Sequence, residues 1–116
     1  MEFKLGELFC GPGGIGYAAI SAECADLSFK ISHAWANDYD HDTCKTYVKN
    51  VSHDEKSVIC QDIRKLNFDR LKKISDIDAL AFGFPCNDFS VVGEEKGIDG
   101  VYGPLYSFGV IALKKI

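Results

Sequence analysis

Apolar residues in this chain fall into short blocks separated by polar turns, and the blocks alternate between strand-like runs and helix-like spacing. Phe3, Leu5, Leu8 and Phe9 form a first apolar segment that runs into Cys10-Gly11-Pro12-Gly13-Gly14-Ile15-Gly16, after which Tyr17 to Glu23 reads as helix. Ile31 to Ala36 predicts a second strand, followed by Asn37-Asp38-Tyr39-Asp40 and a helix over His41 to Asn50 that Asp40 is placed to cap. Val58-Ile59-Cys60 is a third, very short strand. Beyond Gln61-Asp62-Ile63, the residues Phe68, Leu71 and Ile74 recur at helical spacing, and Ile77 to Phe82 predicts a fourth strand. From Leu105 onward, apolar positions 105, 108, 111 or 112, and 116 fit a last helix with Lys114 and Lys115 solvated near its end. Strands alternating with helices predict a parallel sheet with right-handed crossovers.

At 116 residues and 47% hydrophobic, the composition is that of one compact domain at most. A parallel sheet that ends on a helix, without the strand that helix should lead into, predicts part of a larger domain. The net charge of −4 does not supply the basic footprint of a self-sufficient nucleic-acid binder, so any DNA contact needs help from elsewhere. Five cysteines, at 10, 24, 44, 60 and 86, are odd in number and lack paired C-x-x-C spacing, which argues against a disulfide framework or a structural zinc site and for a reducing cytoplasm. His41 and Cys44 are a formal ligand pair, but at helical spacing they read as one exposed face, and no metal is expected. The amino terminus has no signal-peptide pattern, and no apolar run approaches the ~20 residues of a membrane span, so a cytoplasmic protein without membrane contact is expected.

Gly14, Asp38, Asp62 and Cys86 are each 24 residues apart, the same phase of successive strand-helix units, which places them along one edge of the sheet and facing one site. Cys86 follows the fourth strand in Gly83-Phe84-Pro85-Cys86-Asn87-Asp88-Phe89-Ser90, where an exposed thiol is placed for nucleophilic chemistry; a small buried hydrophobe is the plainer reading. Val91 to Gly103 is long and rich in Gly, with Asp99 among them, which favours a functional loop. Gly11, Gly13 and Gly16 satisfy G-x-G-x-x-G, and Asp38 follows at about the ~20-residue distance of a ribose-binding carboxylate, a formal fit to NAD. Pro12 removes one N–H from the turn, and a cysteine at 86 has no part in hydride transfer; both lean away from a dinucleotide. S-adenosylmethionine carries adenine and ribose but no phosphate, so it asks of the turn only close backbone approach. Tyr39 is placed to pack on the adenine and Asp62 to accept from its amine, although Tyr39 also reads as helix-start packing and Asp62 as a turn cap.

Taken together, these segments resemble the cytosine-5 DNA methyltransferases. Glu7-Leu8-Phe9-Cys10-Gly11-Pro12-Gly13-Gly14 is similar to that family's cofactor motif, and Gly83 to Ser90 to its catalytic Pro-Cys motif, in the family's order. Asn37-Asp38-Tyr39, Asp62-Ile63 and Gly103-Pro104-Leu105-Tyr106 stand at the places of other motifs. The resemblance implies a Rossmann-like S-adenosylmethionine-dependent methyltransferase fold, of which residues 1–116 are the N-terminal, parallel-sheet portion of the catalytic domain without its target-recognition region. It implies that Glu7, Phe9, Gly11, Gly13, Gly14, Asp38, Tyr39, Asp62, Ile63, Phe84 and Leu105 surround S-adenosylmethionine, that Cys86 is the nucleophile, and that Pro85, Asn87 and Ser90 face the target cytosine of double-stranded DNA. Asn87 stands where glutamine is commoner, Asp38 where glutamate is frequent, and Tyr102-Gly103 where Arg-Gly is usual. A later Glu-Asn-Val segment, whose glutamate assists attack on the ring, does not occur, so the chain is expected to be a fragment or one subunit that needs a complementary partner and is inactive alone. A non-catalytic cofactor-binding or assembly module and an NAD-dependent oxidoreductase remain as alternatives.

Overall fold

The computed structural model describes residues 1–83 and 105–115. Among them, β1 (Glu2–Leu8), β2 (Lys30–Asp38), β3 (Val58–Cys60) and β4 (Ala79–Phe82) form one parallel sheet in the order β3-β2-β1-β4. The helices are α1 (Gly14–Ser21), α2 (His41–Tyr47), α3 (Phe68–Ile74) and α4 (Tyr106–Lys115). The alternation read from the sequence is therefore present, and its sheet is parallel. Polar caps set two of the helix starts: Asp40 accepts from the Thr43 N–H, and Asn67 from those of Asp69 and Arg70.

Two elements depart from the sequence reading. The first helix begins at Gly14 rather than Tyr17, because Gly13 turns the chain into it with φ 111°, and glycines are too weak as helix formers to announce a helix start. The helix expected through Asn50 leaves α geometry after Tyr47. Val48–Ser52 is a π-helical turn, closed by His53 in the left-handed region with its N–H on the Val48 carbonyl. Two 3-10 turns, Glu55–Ser57 and Ile63–Lys65, also carry no periodicity that a sequence pattern could reveal.

Side chains divide between the two faces of the sheet. The register of β1 on β2 slips between Leu5, which opposes His33, and Gly6, which opposes Trp35, so β2 carries one extra residue there. Strand residues alternate faces, so this bulge sends Trp35 to the face opposite His33 and returns Ala36 to His33's face. Trp35 fills the space above Gly6, where a Cβ would lie 2.6 Å from the indole, and joins Leu8, Ile63, Phe68, Leu71 and Ala112 in the core beneath α3 and α4. On the other face Cys10, Ala36, Cys44, Tyr47, Val51 and Val58 pack together beneath α2.

The order of the strands creates the site. The chain runs outward from β1 through β2 to β3, then returns to place β4 on the far side of β1. The helices that follow β1 and β4 lie on opposite faces: Gly16 of α1 sits against Glu7 and Tyr47, and Gly109 of α4 against Phe82. This change of face between α1 and α4 marks the carboxyl ends of β1 and β4 as the switch point, where open α/β sheets bind their ligands.

Candidate functional site

The loop at the end of β1 is bent into a shape that few residues adopt. Phe9 has φ 53°, Gly11 φ 58° and Gly13 φ 111°. A left-handed phenylalanine is uncommon, and such strain concentrates at ligand sites. The loop's polar groups hold it in place: the Cys10 N–H donates to the Asn37 carbonyl and the Gly11 N–H to Asp38 Oδ2 at 3.0 Å. Since Pro12 has no N–H, three successive positions offer no free donor. An array of N–H groups that could cradle a pyrophosphate is thus missing from this part of the turn. Among the described residues its outer side is uncovered, because a Cβ on Gly11 or Gly14 would meet none of them within 4 Å.

Asp38, the last residue of β2, binds two backbone donors, Gly11 on Oδ2 and Asp40 on Oδ1. A carboxylate offers about four acceptor positions, so each oxygen keeps capacity for a further donor. Tyr39 is 72% exposed, an aromatic surface with little protein against it. Asp62 caps the 3-10 turn by accepting from the Arg64 N–H, and its oxygens also take the Arg64 guanidinium at 2.6 to 3.2 Å. Those hydrogen bonds hold its carboxyl down at about 2. Ile63 is buried in the core beneath α3, and Phe9 and Leu105 pack against the same core. Phe84, Pro85, Cys86, Asn87 and Ser90 lie outside the described residues; in the sequence they follow directly on β4 and Gly83.

Glu7 is only 2% exposed, on β1 just before the turn. Its Oε1 lies 3.0 Å from the Tyr47 hydroxyl, which is 3.3 Å from His33 Nδ1; His33 Nε2 is 2.8 Å from Ser57 Oγ. Tyr47 and His33 are functional candidates that the sequence reading misses. The inward spacing of Cys44, Tyr47 and Val51 is visible as a helix face, but polar contacts spanning 40 residues to Glu7 and 14 to His33 leave no local signal. Burial raises the Glu7 pKa above its usual value, partly countered by the Tyr47 hydrogen bond, and burial lowers that of His33. Below pH 6.5 the unfolded chain therefore binds a proton that native His33 resists, and stability drops as pH falls through that window. Glu7 has the opposite sign: above pH 4.5 the native state retains a proton that the unfolded chain releases, so stability drops as pH rises. Glu7→Gln is accordingly expected to raise the melting temperature by a few degrees at pH 7.5 and hardly at all at pH 4; an equal shift at both would contradict this origin.

Two thiols near the turn are unsuited to nucleophilic work. Burial, reinforced by Asp38 and Glu7, pushes the Cys10 thiol far up, and burial with the neighbouring Cys60 pushes Cys44 to about 12. Among the described residues no group of three or more His, Cys, Asp or Glu side chains is arranged to hold a metal, and no helix is long and apolar enough to cross a membrane.

Residues 3–116 match the family model for C-5 cytosine-specific DNA methylase. The chain is 49% identical to the type II methyltransferase M.BbvI of Brevibacillus brevis, over 99% of this chain and 32% of that protein. It is 33% identical to M.NgoFVII of Neisseria gonorrhoeae, over 89% of this chain and 25% of that protein. The fold is similar to that of the S. pombe Dnmt2 methyltransferase, with a TM-score of 0.66 at 20% identity, covering 98% of this chain and 32% of the other. The chain thus spans between a quarter and a third of the length of these proteins.

Proposed function

The chain belongs to the C-5 cytosine-specific DNA methylase family, and on that footing we propose that it is the cofactor-holding part of a DNA (cytosine-5-)-methyltransferase, with its ligand at the glycine turn and its nucleophile at Cys86. The observation that carries this reading is the turn itself, uncovered by any described residue at Gly11 and Gly14 and without a free N–H at positions 10 to 12. That cradle fits S-adenosylmethionine, which brings a nucleoside and no phosphate, better than it fits a dinucleotide. When bound, S-adenosylmethionine supplies an electrophilic methyl group on sulfur.

The residues divide the work of holding it. Asp38 keeps acceptor capacity for the ribose hydroxyls, and the exposed Tyr39 ring offers a face to the adenine. Asp62 accepts the adenine amine once Arg64, itself well exposed, swings away from it. Glu7 lies behind the turn rather than on its open side, so it supports the methionine end through its hold on Tyr47. Cys86 as thiolate attacks carbon 6 of a cytosine flipped out of duplex DNA, with Pro85, Asn87 and Ser90 around the base. Transfer in this reading also draws on segments equivalent to the rest of the relatives' length, whether on this polypeptide or on a complementary subunit.

Calorimetric titration tests the cofactor assignment. S-adenosylhomocysteine and S-adenosylmethionine are expected to bind at one site per chain, and NAD not to compete. Binding of NAD without binding of either sulfur ligand would replace this reading with an oxidoreductase.

A further inference from the structure

The glycine turn does not hold its shape alone. Besides its hydrogen bonds to Asn37 and Asp38 and the approach of Glu7 to Gly16, it meets the end of α2 and the π-helical turn that follows. A Cβ on Gly13 would lie 2.6 Å from Val51 Cγ2 and 3.4 Å from the Tyr47 ring, and a Cβ on Gly16 would lie 2.6 Å from the Tyr47 hydroxyl. Cys10, at the start of the turn, is buried in the same cluster as Tyr47 and Val51. The Tyr47–Val51 segment therefore lies against the turn at Gly13 and Gly16 and shares a buried cluster with Cys10 at its start. In a regular α-helix, residue 51 would follow residue 47 one turn later on nearly the same face; the wider π-helical turn changes that advance, and Val51 arrives against Gly13 while Tyr47 covers Gly16. Tyr47 is 1% exposed, and its hydroxyl is fixed between Glu7 Oε1 and His33 Nδ1.

We propose that Tyr47 and Val51 clamp the glycine turn from behind and that Tyr47 is a positioning residue for the cofactor site, acting through Glu7 and Gly16 without touching the ligand. Tyr47 lies against Gly13 and Gly16, whereas no described residue lies within 4 Å of a Cβ on Gly11 or Gly14. The clamp links two distant parts of the chain: α2 and its π turn are set by the polar hold of Glu7, Tyr47 and His33, and the glycine turn is set by α2. The consequence for cofactor binding rests on the function proposed above; the clamp itself concerns only the shape of residues 10–16.

The two are separated by measuring both amide hydrogen exchange and S-adenosylhomocysteine affinity in the full chain. Tyr47→Phe keeps the ring and removes the hydroxyl. Val51→Ala removes both Val51 methyl groups, including the Cγ2 that faces Gly13. Leu71→Val, in the core on the opposite face of the sheet, serves as a destabilised control. Tyr47→Phe and Val51→Ala are expected to speed exchange at the amides of Gly11 and residues 13 to 16 by about tenfold and to weaken S-adenosylhomocysteine by a similar factor, whereas Leu71→Val leaves both unchanged below its melting temperature. Equal acceleration in Leu71→Val, or unchanged exchange in both clamp variants, would overturn the clamp whatever the ligand does. Accelerated exchange with unchanged affinity would overturn the positioning role of Tyr47. If the wild-type chain binds NAD instead, the cofactor assignment falls, and the exchange data still decide for or against the clamp.

Discussion

Gly13→Ala is expected to lower the stability of the chain by roughly 2–6 kcal/mol, a sum of two separate costs. An L-residue held at φ 111° is strained by about 1–3 kcal/mol. The new methyl would also sit 2.6 Å from Val51 Cγ2, and forcing a side chain into a filled space costs about another 1–3 kcal/mol. Val51 is buried against Cys10, Cys44 and Tyr47, so it has little room to retreat. Against a typical total of about 5–15 kcal/mol, such a loss leaves a chain of this size marginal or unfolded. Gly14→Ala supplies the contrast. Its Cβ meets no described residue within 4 Å, and in the first turn of α1 alanine is at least as good a helix former as glycine, so the melting temperature should hold or rise. The same methyl projects into the open side of the turn and should weaken S-adenosylhomocysteine by tenfold or more in the proposed site. Urea denaturation and calorimetry on the two variants check both halves. A Gly13→Ala chain as stable as wild type would mean that the turn can relax, and a Gly14→Ala chain with undiminished affinity would place the ligand elsewhere.

The contrast between neighbouring glycines shows which parts of the site are legible in the sequence. The spacing of Gly14, Asp38 and Asp62 by strand-helix units does bring them to the carboxyl ends of the strands, because parallel units of similar length repeat the same phase. Asp40 caps its helix as its position before His41 suggests, since capping depends on residues only three apart. Relations created by packing are the ones that escape a sequence pattern. The bulge opposite Leu5 and Gly6 decides that Trp35 faces α3 and α4, yet one extra residue in a strand looks like any other apolar position. The π turn after Tyr47 has a sequence compatible with continued α-helix, and the approach of Val51 to Gly13 that accompanies it is a tertiary relation. Glu7 resembles a cofactor residue from its motif; that it is buried and accepts from the Tyr47 hydroxyl is a packing relation that a pattern of types along one strand cannot reveal. Asp62 meets both of its readings in part, as a cap in the structure and as an adenine acceptor in the proposal.

Cys86→Ser is expected to abolish methyl transfer, by about 10⁴-fold or more, while leaving S-adenosylhomocysteine affinity unchanged. Carbon 5 of cytosine is too electron-poor to attack a methyl group unaided. Addition of a thiolate at carbon 6 moves the ring's electrons to carbon 5, which then takes the methyl; loss of the carbon-5 proton and expulsion of the thiolate restore the ring. A thiol with pKa ~8.5 is a few per cent ionised at neutral pH and strongly nucleophilic when ionised, whereas a serine hydroxyl is not measurably ionised there. The substitution is nearly isosteric, so the expected loss is chemical rather than structural. Cys10 and Cys44 offer no substitute, because burial keeps both thiols protonated. The assay joins the chain to the segments that its relatives carry beyond this length and uses duplex DNA, since those proteins are much longer. Duplex containing 5-fluorocytosine adds a second readout. Fluorine cannot leave carbon 5 as a cation, so the adduct should persist as a DNA-linked chain on a denaturing gel with the wild-type protein and be absent with Cys86→Ser. Transfer retained in Cys86→Ser would remove Cys86 from the chemistry. Ligand binding without transfer or adduct in the complemented wild-type chain would instead favour a cofactor-binding module that has kept the turn and lost the reaction.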